Sequence, residues 1–114
     1  MSGPGEAIWM LKGRDQEGRE IRIAISEAVL KAGGEQRIGR ASHVEQVLRA
    51  DSIARTHAAI YWGEHGPRIV RHTAPSPVMV NETDIELGHS AAVAEGDRVT
   101  LGEIALTVSR SGGG

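Results

Sequence analysis

The segment "RVTLGEIALTV", Arg98 to Val108, constrains the fold more than any other part of this sequence. Apolar side chains occupy every second position on both sides of Gly102-Glu103, namely Val99, Leu101, Ile104, Leu106 and Val108. This period of two is typical of a strand with one buried face. A two-residue connection that starts with glycine favours a type II′ turn. The segment therefore predicts a β-hairpin that packs one face on a core.

The same alternation recurs along the chain. It is clear in "REIRIAI", and further strand-like runs are "AIWML", "QVLRA", "HAAIYW", "RIVRH" and "VMVN", separated by turns rich in glycine, proline and polar residues. Short strands at this spacing predict an all-β fold, an antiparallel β-sandwich. The exception is "SEAVLKAGG", residues 26–34, where Ser26 suits a helix N-cap and Gly33 suits a stop. At most one short helix or loop insertion is expected there.

Length and composition bound the classes of protein that remain. A chain of 114 residues fits one domain, residues 1–114, with a core over about 6–109 and flexible ends at 1–5 and 110–114. The tail "SRSGGG" suits either a flexible terminus or the start of a linker in a longer multidomain protein. With 39% hydrophobic residues and a net charge of -2, the chain is expected to be globular, with no bulk attraction to nucleic acid.

The chain has no cysteine, which excludes disulfides, thiolate zinc sites and a cysteine nucleophile. The start "MSGPGE" lacks the pattern of a secretion signal, and no apolar run approaches the roughly 20 residues of a spanning helix. We therefore expect a cytoplasmic protein without direct membrane insertion. The five histidines form no metal-ligand spacing, and no nucleophile and base pair is evident, so we predict no metal, no cofactor and no catalytic residue.

The charge is unevenly distributed. Residues 37–57 hold four arginines against two acids, a balance of +2, whereas residues 82–103 hold six acids against one arginine, a balance of -5. If the fold brings the arginines together, that side of the molecule suits an anion.

Four short motifs in order give the sequence a family resemblance. Gly39-Arg40, the segment "IARTHAAI" around His57, "VMVN", and the ending "EGDRVTLGEIALTV" together resemble the forkhead-associated (FHA) domain from about Glu20 to the C-terminal hairpin. The resemblance implies a sandwich of about eleven short strands. It also implies a module that binds phosphothreonine peptides through loops at one end, in serine/threonine kinase signalling of the bacterial type.

The resemblance assigns candidate residues to the phosphate. Arg40 is the principal ligand, with Ser42 adding a hydroxyl, because a phosphorylated threonine favours a guanidinium fork flanked by hydroxyl groups. Arg55 either supplies a second charge or lies in solvent. The family usually has serine where this chain has Ala54, so one ligand is missing. Ser42, Ser52 or Thr56 are the candidates to replace it.

The resemblance also assigns residues that hold the loops. Gly39 is expected to let the backbone turn out of its strand, and His57 to be a buried histidine that hydrogen-bonds across the loops. Where the family usually has Asn-Gly beside the peptide backbone, this chain has Ser76-Pro77; proline offers no N–H, but Ser76 can still hydrogen-bond the peptide backbone. Asn81 matches a later asparagine of the family, so it is counted with the scaffold of the loops and is expected to be a turn residue without ligand contact.

Two functions remain open at this stage. The first is a phosphothreonine-dependent reader built on Arg40. The second is a degenerate FHA domain that binds a protein partner without phosphate, which Ala54 and Ser76-Pro77 favour. An enzyme is not expected.

Overall fold

The computed structural model describes residues 7–73 and 75–112, and in this part of the chain it has eleven strands in two sheets with one short helix. This confirms the predicted all-β sandwich. The strands are β1 (Ile8–Arg14), β2 (Glu20–Ser26), β3 (Gln36–Gly39), β4 (Gln46–Val47), β5 (Ala58–Trp62), β6 (Pro67–Arg71), β7 (Val78–Val80), β8 (Thr83–Asp84), β9 (Ser90–Ala92), β10 (Arg98–Leu101) and β11 (Ile104–Ser111). One sheet has the order β2-β1-β11-β10-β7-β8 and the other β4-β3-β5-β6-β9.

The C-terminal hairpin forms as its alternation predicts. Leu101 pairs with Ile104 across the turn, Gly102 has a positive φ of 61°, and Glu103 does not. These angles fit the expected type II′ turn. All five alternating side chains of the hairpin are buried, each 1% exposed or less. They form the centre of the core together with residues of the facing sheet, Ile38, Ala58 and Ile69.

Two features of the strand pattern differ from the expectation. The run "QVLRA" is a strand only at Gln46–Val47, and it pairs with β3 in parallel, whereas every other pairing is antiparallel in the described residues. The chain leaves the sheet at Leu48, whose side chain is buried, and then turns through Ala50 to Ile53. In addition, β9 lies within a segment predicted to be a turn.

The short helix α1 (Glu27–Lys31) occupies the predicted place. The Ser26 hydroxyl accepts a hydrogen bond from the Val29 N–H at 3.3 Å, as an N-cap does, and Gly33 follows the helix with a φ of 91°. Glu27 is buried and accepts hydrogen bonds from Trp9 Nε1 and Arg110 Nε, both at 2.9 Å. The Arg110 guanidinium is the main cause that lowers the pKa of Glu27 to about 2.

The two ends of the described chain lie side by side. Ile8 at the start of β1 pairs with Ser111 at the end of β11, so the last strand runs beyond the boundary expected at residue 110. Arg110 is fixed to Glu27, while residues 1–5, 113 and 114 of the predicted flexible ends lie outside the described residues. This end of the sandwich also holds α1, whose Lys31 Nζ lies 5.1 Å from the centre of the Trp62 ring.

The turn between β7 and β8 places two non-glycine residues in the left-handed region. Asn81 has a φ of 50° and Glu82 a φ of 72°, which are the angles of a type I′ hairpin turn. Asparagine tolerates this region, but glutamate gains nothing there and bears the steric cost of its Cβ.

Glu82→Gly is therefore expected to raise the free energy of unfolding by about 0.5–1 kcal/mol, since the relieved strain exceeds the extra freedom of the unfolded chain. Urea denaturation should show a higher midpoint with an unchanged m value. Glu86→Gly is the control, because it removes the same charge at an exposed position without a positive φ. That variant should be neutral or slightly destabilised, and equal behaviour of the two variants would contradict the strain.

Candidate functional site: the loop end

His57 connects two loops at the end of the sandwich opposite α1. Its side chain is 0% exposed. Nδ1 accepts a hydrogen bond from the Ala54 N–H at 3.1 Å, and Nε2 lies 3.0 Å from the Pro77 carbonyl oxygen. Because Nδ1 accepts, the proton of the neutral ring is on Nε2, which donates to Pro77. The imidazole thus joins residues 54–57 to the loop that precedes β7.

The same group of contacts extends to the β10–β11 turn. The Pro77 carbonyl also accepts from the Gly102 N–H at 3.0 Å, and the Ser52 hydroxyl accepts from the Glu103 N–H at 3.2 Å. Sequence reasoning missed this role of Pro77, since it considered only the N–H that proline lacks. Ser52 is held against the hairpin turn, where its hydroxyl oxygen accepts this bond.

Gly39 is required at the end of β3 for a reason other than the expected one. Its φ is not positive, and it is the last residue of β3. A Cβ at this position would lie 2.0 Å from the carbonyl oxygen of Arg55 and 3.0 Å from Cα of Thr56. The residue is glycine because the 54–57 loop packs directly on its backbone, which brings that loop against the start of the next one.

Arg40 follows Gly39 and is exposed at this end. Its N–H donates to the Ala54 carbonyl at 2.9 Å, and its Nε donates to the Ile53 carbonyl at 3.1 Å. The Nε contact fixes the guanidinium and leaves both Nη groups without a protein partner among the described residues. Two parallel N–H donors on a fixed plane match the oxygens of a phosphate.

The other predicted site residues fall into two groups. Ser42 and Arg55 are exposed, and Thr56 and Ser76 are half-buried. Arg55, Thr56 and Ser76 lie on the two loops that the His57 contacts join, and Ser42 lies on the loop between β3 and β4. Of the arginines from 37 to 57, Arg37 is neutralised by Glu45, because its Nε and Nη2 donate hydrogen bonds to the Glu45 carboxylate, both at 3.0 Å. Arg55 makes no ion pair in the described part of the chain. The arginines near Arg40 therefore retain free charge.

Asn81 lies at the opposite end of β7 from these loops. Its Oδ1 accepts from the Arg98 N–H at 2.9 Å and its Nδ2 donates to Asp97 Oδ1 at 3.0 Å. These bonds hold the β7–β8 turn against the start of β10. The structure therefore gives no support to Asn81 as part of the scaffold of the loop end, and it agrees with the expectation of a turn residue.

The electrostatics of His57 follow from its burial. Removal from water lowers the pKa of the imidazole below its usual value, the bond to the Pro77 carbonyl acts in the opposite direction, and the positive charge of Arg71 lowers the pKa further. The neutral ring is the form that fits, because protonated Nδ1 cannot accept from Ala54.

The described residues contain no group of three metal-ligating side chains and no helix that is long and apolar enough to cross a membrane. What the geometry provides is a set of exposed donors on fixed loops at one end of a β-sandwich. That arrangement is typical of a binding module whose loops carry the site.

Comparison with known proteins places this module in a family. The model of the FHA domain matches residues 36–102, more than half of the chain, and the chain therefore belongs to the FHA family. FHA domains are binding modules, and family members take part in phosphothreonine-dependent interactions. No curated protein matches the sequence.

Solved FHA domains share the fold at low identity. The FHA domain of the CT664 protein from Chlamydia trachomatis has a TM-score of 0.71 and 21% identity, covering 90% of this chain and 96% of its own. The FhaA FHA domain, solved with the intracellular domain of Rv3910, has a TM-score of 0.63 and 20% identity over 90% and 98%. A domain solved for the study of phosphothreonine-dependent FHA interactions has a TM-score of 0.64 and 20% identity over 92% and 96%.

The buried neutral His57 predicts a specific pH dependence of stability. The unfolded imidazole takes up a proton near pH 6.5, whereas the folded one resists it, so the free energy of unfolding should fall as the pH decreases from 7 to 5. His57→Asn keeps an acceptor for the Ala54 N–H without titrating. Its unfolding free energy, from denaturant titrations at each pH, should change less over this range.

The two proteins are compared by the slope of the unfolding free energy against pH, so the lower overall stability of the variant does not affect the result. Below about pH 4.5 both proteins should lose stability in parallel as the carboxylates of Glu27 and Glu45, whose pKa values are about 2 in the fold, become protonated on unfolding. Equal slopes from pH 7 to 5 would show that His57 is not held neutral.

Proposed function

We propose that this domain is a phosphothreonine-dependent reader of peptides or proteins, with the phosphate held at the loop end. The observation that carries the proposal is Arg40, an exposed residue that is anchored through Nε on the Ile53 carbonyl while neither Nη group has a partner among the described residues. The buried His57 beneath it keeps the supporting loop in place. A fixed fork on a rigid loop binds a phosphate at a smaller entropic cost than a mobile one.

The neighbouring residues have supporting roles in this proposal. Ser42 and Arg55 contact the phosphate with Arg40, while Thr56 and Ser76 hydrogen-bond the phosphate or the peptide backbone. Gly39 and His57 are the scaffold of the site. Two contacts support this grouping, because they hold the two loops together. The Arg55 carbonyl packs on Gly39, and it accepts a hydrogen bond from the Ala41 N–H at 3.1 Å.

The proposed ligand suggests a cellular setting, because a phosphothreonine arises from a serine/threonine kinase. We propose that the domain acts in cytoplasmic kinase signalling of the bacterial type, as a binding module and not as an enzyme. The phosphothreonine-dependent interactions of a structurally similar FHA domain support the ligand class.

A second candidate is an FHA domain that binds a protein partner without phosphate. Ala54 favours it, because this residue lies against Arg40, whose N–H donates to the Ala54 carbonyl, and its side chain offers no hydroxyl to a phosphate there. One charge-assisted hydrogen bond contributes roughly 1.5–3 kcal/mol, so its absence weakens phosphate binding by about ten- to a hundredfold.

Arg40→Ala is expected to lower the affinity for a phosphothreonine peptide by about a hundredfold, since two charge-assisted bonds are lost. Isothermal titration with phosphorylated and unphosphorylated forms of the same peptide measures this. Arg98→Ala is the matched control, because Arg98 is exposed at the opposite end of the sandwich. Both variants should unfold at nearly the wild-type temperature, and full affinity in Arg40→Ala would exclude the proposed role.

Ala54→Ser is expected to strengthen phosphopeptide binding at least several-fold by supplying the missing hydroxyl beside Arg40. The substitution adds one oxygen at a half-buried position, so the fold should be retained. The affinity for the unphosphorylated peptide serves as the reference and should not change. If phosphate-dependent affinity stays the same, the hydroxyl does not reach the phosphate.

A further inference from the structure

β2 is an edge strand, so one side of its backbone pairs with no other strand in the described part of the chain. The other strands at sheet edges are short, since β8 and β4 have two residues each and β9 has three. Very short edge strands are a common protection against pairing with another molecule. β2 has seven residues and lacks this protection.

The backbone groups on the free side of β2 follow from its pairing with β1. The Glu27 N–H, directly after β2, donates to the Ala7 carbonyl at 2.9 Å. In an antiparallel ladder such bonded pairs recur at every second residue, so the odd-numbered residues of β2 bond to β1. The N–H and C=O groups of Glu20, Arg22 and Ala24 are therefore directed to the free side.

One of these outward groups is already occupied. The Ala24 carbonyl accepts a hydrogen bond from Gln46 Nε2 at 3.3 Å, so a side chain of β4 closes that part of the edge. The outward N–H and C=O groups of Glu20 and Arg22 have no partner among the described residues. Both side chains are exposed, and Arg22 Nη2 lies 3.1 Å from Glu20 Oε2. The free part of the edge thus carries one acid and one base.

The residue between these two charges has an apolar side chain that the core covers only in part. Ile21 is half-buried, whereas Ile23 and Ile25 on the same face of β2 are 3% and 1% exposed. A strand that paired with β2 would bring its own side chains against Ile21 and remove apolar surface from water.

We propose that two copies of the chain associate through β2, in an antiparallel pair with Ile21 at the twofold axis. In this register Glu20 of each copy lies opposite Arg22 of the other. Each of these pairs exchanges both backbone hydrogen bonds, and an ion pair forms across the strands on each side of the axis. Ile21 lies opposite its own copy, so each isoleucine covers the exposed part of the other.

The charges favour this register over its neighbours. An axis at Glu20 or at Arg22 would place that residue opposite its own copy, and like charges directly opposite each other destabilise a sheet. An axis at Ile23 would place Arg22 opposite Ala24, whose carbonyl is already occupied. The axis at Ile21 pairs opposite charges and uses the backbone groups that are free.

The proposed dimer directs the two loop ends away from each other. β2 starts at the loop end, and the two copies of β2 run in opposite directions. The two copies of Arg40 therefore face opposite sides of the dimer, which connects two separate ligands and does not bind two groups of one short ligand. The association itself does not depend on the proposed function.

An introduced cysteine tests the contact directly, because the chain has none of its own. Residues opposite each other in a non-hydrogen-bonded pair have Cα atoms about 4.5 Å apart, a distance that a disulfide spans. Ile21→Cys should therefore give a disulfide-linked dimer under mild oxidation. Ala24→Cys is the control, because it is more exposed but lies about 20 Å from its own copy in this register and should stay monomeric.

Sedimentation velocity tests the charges without a cross-link. A contact between two strand edges is small, so the wild-type mass should rise from the 12.1 kDa of one chain towards twice that value between about 0.05 and 1 mM protein. Glu20→Arg and Arg22→Glu should each raise the dissociation constant at least tenfold, since each places like charges opposite each other. The association should also weaken with added salt, because the ion pairs are exposed.

An equimolar mixture of the Glu20→Arg and Arg22→Glu proteins should associate again, because each altered position then faces the opposite charge on the other copy. Arg98→Glu is the matched control, since it reverses the same charge on an exposed residue of β10, away from the edge, and it should dimerise like the wild type. Circular dichroism should show the wild-type fold for every variant.

The inference is overturned if the wild-type protein stays monomeric up to about 1 mM, well above the range of a specific contact. It is also overturned if both charge variants dimerise like the wild type, if their mixture stays monomeric, or if Ala24→Cys cross-links as readily as Ile21→Cys. The phosphopeptide affinity of each copy should be the same in all these variants, so the proposed function is tested separately.

Discussion

The loop end depends on one neutral imidazole. His57 uses its two ring nitrogens in opposite roles, one accepting from the backbone of its own loop and one donating to the Pro77 carbonyl of another. The arrangement is stable because the ring is buried above the sandwich core, where a lost hydrogen bond cannot be replaced by water. The position of Arg40 therefore depends on a residue that is inaccessible to a ligand.

Much of the fold could be predicted from period-two alternation, and the failures have a common cause. The hairpin around Gly102 is visible because its buried residues alternate without interruption. β4 has two residues and β9 has three, which is too short for any period to appear, and both exist because β3 and β6 offer free backbone groups. Similarly, Gly39 has no local reason to be glycine. The reason is the carbonyl of Arg55, sixteen positions further along the chain.

In the candidate site, too, some features could be predicted from local sequence motifs and others depend on contacts between distant residues. The loops that carry Arg40 and His57 could be placed together from the order of the motifs, because the loops at one end of a sandwich meet in space. The contacts of Ser52 and Pro77 with the β10–β11 turn could not, since they join residues far apart in sequence through a hydroxyl and a carbonyl that many positions offer. Asn81 is the reverse case: a motif match grouped it with the scaffold of the loops, and the strand direction places it in the turn at the other end of β7.

The side-by-side arrangement of β1 and β11 has a mechanical consequence. Because Ile8 and Ser111 are paired, a force that pulled the two ends apart would open this ladder one hydrogen bond at a time, like a zipper, and would not load all the bonds at once. Arg110, held by Glu27, would be among the first contacts to resist. The loops around His57 are at the other end of the sandwich. Such a force would therefore reach a ligand bound there only after most of the hydrogen bonds between β1 and β11 had broken.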